Sequence, residues 1–147
     1  MEGRNPNEEI NRLLQSGKIN QQQLNQAQQM AQQMAGAAQS VDTYFKGKKG
    51  IVYINVMNNM SVDCDCCAKA EDPKVRDIGI LSSLDPVALD QACVDACQKQ
   101  TPIPNSQLSD NLAKPEWHHH HDHFLDSNPN VHWKETLEHA EKIGMGS

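Results

Sequence analysis

Apolar residues along this chain change period several times, and each change marks an element. Asn5-Pro6 pairs a helix-capping residue with proline at the first helical position. Ile10, Leu13 and Leu14 then edge a short helix that Ser16-Gly17 closes. Asn20 caps a second helix. From there Leu24, Ala27, Ala31, Met34, Ala38, Val41 and Phe45 recur at alternating steps of three and four, a heptad seam that predicts one long helix over 21–46. Nine of the nineteen residues from Gln21 to Gln39 are glutamine, so only the seam separates this stretch from a low-complexity tract. After the Gly47–Gly50 turn, Ile51 to Met57 (IVYINVM) is a nearly continuous β-rich run, which predicts a strand buried on both faces. Asp77 to Ser82 predicts a second strand. Asp85-Pro86 opens a helix over 86–98, with Leu89, Cys93, Cys97, Ala88, Ala92 and Ala96 as its apolar stripe. Four of the seven prolines and a histidine run lie within 99–130, which predicts a long surface loop. Val131 to Ile143 predicts a last helix facing inward through Trp133, Leu137 and Ala140.

These elements describe a mixed α and β fold: a small sheet of at least two strands packed by three or four helices. Residues 1–20 form a helical extension and 21–147 a single domain. Two strands make a weak sheet, so a partner chain is expected to complete it. With 147 residues, there is room for one ordinary domain. A net charge of −6 argues against binding nucleic acid through a general basic surface. No stretch reaches the roughly 18 apolar residues of a membrane helix. The start, MEGRNPNEEI, has neither a basic nor an apolar signal region, so the expected location is cytoplasmic. In that compartment clustered thiols bind metal more often than they form disulfides, and five cysteines is an odd count.

Chemistry concentrates in Asp63-Cys64-Asp65-Cys66-Cys67. Thiolates are soft donors suited to zinc, cuprous copper and iron–sulfur clusters. In an extended segment Cys64 and Cys66 point one way, and Asp63, Asp65 and Cys67 the other. The spacing is neither a zinc-finger nor a bacterial ferredoxin pattern, so a loop of unliganded thiols stays open beside ligation. Cys93 and Cys97, at i and i+4, read first as small core residues and second as partners completing a site with Cys64 and Cys66. The run His118–His121, Asp122, His123 reads as a solvated loop with incidental affinity for divalent metals. His132 and His139, seven apart on the last helix, read as surface or boundary residues. No hydrolase, P-loop, dinucleotide or zinc-protease motif is present, so nothing names a substrate and enzymatic status stays open.

Three segments carry a resemblance: Tyr53 to Cys66 (YINVMNNMSVDCDC), Asp77 to Asp95 (DIGILSSLDPVALDQACVD) and Asp126 to Gly146 (DSNPNVHWKETLEHAEKIGMG). From about Gln29 to Gly146 the chain resembles the C-terminal part of the domain-of-unknown-function family 362, whose members are often associated with iron–sulfur clusters. The first 28 residues match nothing in that pattern. The resemblance implies a candidate cluster or metal site at Cys64 and Cys66 with Asp63 and Asp65. Asp77, Asp85 and Asp90 also match, and Asp85 reads first as a helix cap. Family members usually run to twice this length, which implies that a homo-oligomer or a partner subunit supplies a missing front half. The expectation is therefore an iron–sulfur or other metal-binding protein with Cys64, Cys66 and Cys67 as donors and zinc as the alternative metal. The competing expectation is a non-enzymatic assembly module that oligomerises through the 24–45 helix, its cysteines structural.

Overall fold

A computed structural model describes residues 20–48, 50–63 and 71–147. The predicted 1–20 helical extension thus lies outside the described residues except for Asn20. Helix α1 spans Gln21–Lys46 and opens on a capping box. The Gln23 backbone N–H donates to Asn20 Oδ1 at 2.8 Å, and the Asn20 N–H donates to Gln23 Oε1 at 3.0 Å. Strands β1 (Tyr53–Met57) and β2 (Gly79–Ser83) pair antiparallel, with Ile54 opposite Ser82 and Val56 opposite Ile80. Helix α2 (Pro86–Gln98) follows, then α3 (Gln107–Ala113), α4 (His123–Ser127) and α5 (Trp133–Lys142). The fold is mixed α and β, as the periodicities require. Among the described residues, no helix is long and apolar enough to cross a membrane.

Two apolar clusters hold these elements. The larger joins Met57 of β1, Val75, Leu89, Cys93 and Cys97 of α2, and Leu108 of α3, with Tyr53, Leu81 and Phe124 packed around them. The smaller joins Ala35 of α1, Val87 of α2, Ala140 of α5 and Met145. Small side chains at Ala31 and Ala35 let α5 lie close along α1. The C-terminal segment then ties the pair: Gln39 Nε2 donates to the Ile143 carbonyl, and Lys46 Nζ to the Met145 carbonyl.

Four expectations change here. Of the α1 seam only Leu24 and Ala31 are buried and Met34, Ala38, Val41 and Phe45 are exposed, while Ala35 and Asp42, outside the seam, are buried instead. Contact with a single helix, α5, needs one narrow stripe. The 51–57 run is not buried on both faces. Tyr53, Asn55 and Met57 face the core, but Val52, Ile54 and Val56 are open because no described element lies over them. On α2 the stripe runs through Val87, Leu89, Cys93 and Cys97, leaving Ala88 and Ala92 exposed. The 99–130 segment is not simply a surface loop. It contains α3 and α4 and buries Ser106, Leu108, Asn111, Asp122, Asp126 and Ser127. Its polarity hid this, since its buried groups are chiefly polar ones paired with backbone. Asn111 Nδ2, for instance, donates to the carbonyls of Asp126 (3.0 Å) and Ser127 (3.3 Å).

Candidate functional site

Directly after β1 the chain leaves the sheet and returns to it under two backbone clamps. The Ile78 N–H donates to the Met57 carbonyl at 2.8 Å, and the Lys74 N–H to the Met60 carbonyl at 2.8 Å. These two bonds hold the described residues on either side of the cysteine segment together. Asp77 Oδ1 accepts from the Asn59 N–H at 2.8 Å, and Asn59 adopts φ +50°, a turn that asparagine tolerates. Further out, Ser61 Oγ donates to the Asp63 carbonyl at 2.7 Å, and Asp63 is exposed. Asp65, Cys64, Cys66 and Cys67 lie outside the described residues.

Beside this base is an open, mainly apolar cleft of about 260 Å³, lined by Met57, Met60, Asp90, Cys93, Val94, Phe124, Trp133, Thr136 and Leu137. Cys93 forms part of its wall. Asn55 Nδ2 donates to Asp90 Oδ1 at 2.7 Å and approaches Cys93 Sγ at 3.4 Å, so β1 orients both groups of α2. One helical turn on, Cys97 has a different environment. It is fully buried in the larger core cluster, and burial pushes its thiol pKa up, with the Lys74 ammonium opposing. Both cysteines are free thiols in the core. Met57, Met60 and Cys93 therefore line one cleft at the root of the loop, while Cys97 lies within the core.

Lys74 was missed by sequence reasoning, because a lone lysine after Pro73 reads as surface. It is buried, with Nζ 4.2 Å from the centre of the Phe124 ring. Burial pushes its pKa down, against the pull of Cys97 and Asp122. Asp122, read only as a break in the histidine run, is a buried hub. It caps α4 by accepting from the N–H groups of Phe124 (2.9 Å) and Leu125 (3.2 Å). It also accepts from Trp133 Nε1 at 3.1 Å and has Lys134 Nζ at 3.7 Å. Burial alone would raise its pKa. Hydrogen bonds from Gln98, Leu125, Trp133 and Phe124 outweigh that and hold the carboxyl below its ordinary value.

The histidines are spread along the rim of this hub. The His120 N–H donates to Asp126 Oδ1 at 2.8 Å, His123 Nε2 contacts the Gln100 carbonyl at 2.8 Å, and the His118 and His120 rings meet edge-on with centroids 4.8 Å apart. Among the described residues no group of three or more His, Cys, Asp or Glu side chains is placed to hold a metal ion. His132 and His139 are half-buried on α5, as boundary residues should be. Asp85 caps α2, accepting from the Ala88 N–H at 2.9 Å. That bond, against burial and with help from the Ser147 and Val87 N–H groups and Lys46, holds its carboxyl below the usual range.

A family profile described as Domain of unknown function (DUF362) matches residues 12–95. The chain belongs to this family. The match takes in α1, both strands, the cysteine segment between them and α2 as far as Asp95, so Cys93 lies inside it and Cys97 outside. It begins well before Gln29, correcting the expectation that the first 28 residues match nothing, and it does not extend to the 126–146 segment. No curated protein and no solved structure matches the chain.

Proposed function

We propose that this DUF362 member binds a metal ion or iron–sulfur cluster through Cys64, Cys66 and Cys67, with Cys93 as a further candidate donor. The observation that carries this reading is the clamp. The Met57–Ile78 and Met60–Lys74 backbone bonds hold the described residues on either side of the thiol-bearing segment beside a cleft whose wall includes one thiol and two thioethers. A loop with fixed ends has already lost part of the entropy that ligation would otherwise cost. The donors fit a soft metal: thiolates at Cys64, Cys66 and Cys67, with Cys93 held by Asn55 at the cleft wall. Asp63 and Asp65 would add charge to a harder or mixed site. Cys97 stays in the core, where burial keeps its thiol neutral. An iron–sulfur cluster would supply electron transfer and zinc a structural cross-link, both in a reducing compartment such as the cytoplasm.

Protein purified without oxygen and without nickel resin, then reconstituted with iron and sulfide or with zinc, tests this directly. Stoichiometric metal with visible cluster absorbance, or with zinc alone, is the expected result. Metal content unchanged in the Cys64→Ala/Cys66→Ala variant would overturn it.

A further inference from the structure

One face of the β1–β2 sheet packs on α2, and the other carries Val52, Ile54, Val56, Ile80 and Leu84. Each of these is 58–70% exposed. Ile54 and Val56 alternate along β1 and stand opposite Ser82 and Ile80 of β2, so these side chains form one aliphatic patch with Ser82 inside it. Solvent-facing strands ordinarily carry polar or charged side chains, and this one carries no charge at all. We propose that this face is a self-association surface on which a second copy of the chain docks, the two sheets stacking as a four-stranded, two-layer sandwich about 10 Å apart.

Area favours a second copy, and the uncharged face adds no local repulsion against it. Five aliphatic side chains this exposed amount to on the order of 500 Å² of apolar surface, the upper range for what a monomer leaves to water. Doubled by a two-fold pairing, that becomes about 1,000 Å², the size at which a specific interface begins. The chain carries a net charge of −6, so two copies repel at most orientations. A face without charge is where they can meet without opposing like charges. The exposed side of α1 suits this less well. Lys48 Nζ lies 3.9 Å from the centre of the Tyr44 ring and donates to its hydroxyl at 2.7 Å, which places a cation beside that apolar surface.

Sedimentation equilibrium of the full chain, with chelator present so that no metal bridges copies, decides the matter. A reversible dimer is expected, weakened at least about 100-fold by Ile54→Lys/Ile80→Lys, which buries unpaired charges at the contact. Met34→Lys/Val41→Lys on α1 is expected to leave it intact. Far-UV circular dichroism checks folding, and Ile54→Thr/Ile80→Thr replaces the lysine pair should that variant lose its signal. A monomer at every concentration overturns the proposal. So does a dimer indifferent to the sheet variants, or one abolished equally by the α1 variant. Carbene labelling of the sheet face gives a further outcome: protection in a monomer means that another part of the same chain covers it, which also overturns the proposal.

Discussion

Replacing Asp122 by alanine is the sharpest test of how the histidine-bearing segment is held. The carboxylate is 4% exposed and is met by two backbone N–H groups at the start of α4, the Trp133 indole N–H, the Gln98 side chain and the Lys134 ammonium. Loss of a helix N-cap costs about 1 kcal/mol. Leaving a half-buried indole N–H without its charged acceptor adds about 1–3 kcal/mol. Lys134 is half exposed and adds little. The expected destabilisation is therefore about 3 kcal/mol, roughly a 2 M fall in urea midpoint for a slope near 1.5 kcal/mol per M. Trp133 fluorescence reports the transition at the site of the change. Asp122→Asn keeps an acceptor for the cap and should cost about half as much. The folded pKa of Asp122 is depressed, so its stabilisation is present above the unfolded value of about 3.9 and is lost as pH falls through the folded value. Wild type should therefore weaken below about pH 4 more steeply than Asp122→Asn. An alanine variant within 0.5 kcal/mol of wild type, or identical acid limbs for wild type and Asp122→Asn, would refute the reasoning.

Other outcomes follow from the same geometry. Tyr53 donates its hydroxyl to Asp42, and its pKa is pushed up to about 12 by burial, that bond and nearby carboxylates. Ultraviolet titration should show one tyrosine ionising near that value, its stabilising effect present below pH 10 and lost as pH rises through about 12. Asp42→Asn should lower the value without returning it to 10, because burial remains. Iodoacetamide at pH 8 should alkylate Cys93, at the cleft, well before Cys97, whose thiol is buried with a raised pKa; equal rates by mass spectrometry would contradict this. Gly146→Ala would bring a Cβ to 1.9 Å from Asp85 Oδ1, displacing the α2 cap, so thermal unfolding should show a loss of about 1–2 kcal/mol. Combined with Asp85→Ala the losses should be less than additive, since both remove the same cap.

Local rules were legible in the residues. The Asn20 cap, the Asp85-Pro86 helix start, the strand character of 51–57 and 77–82, and the burial of Cys93 and Cys97 all depend on neighbours within a few positions. Cys64, Cys66 and Cys67 were equally legible as soft-donor chemistry, because ligand type is a property of the side chain. What each buried face packs against was not legible. Heptad spacing marked an apolar seam on α1, but α5, arriving from a hundred residues downstream, selects Ala31 and Ala35 and leaves Met34 and Val41 to water. Lys74 and Asp122 look like surface charges in any window. They are buried because Phe124, Cys97, Trp133 and the α4 N–H groups converge on them from distant positions. Periodicity and capping are short-range, so sequence determined the three longer helices, the two strands and which residues can ligate, but not the short helices α3 and α4. Desolvation and hydrogen bonding depend on what long-range packing brings near, so only the tertiary structure decided which side of each element is inside. It also decided that Met57 and Met60 pair through their carbonyls with Ile78 and Lys74 beside a cleft to which Cys93 contributes.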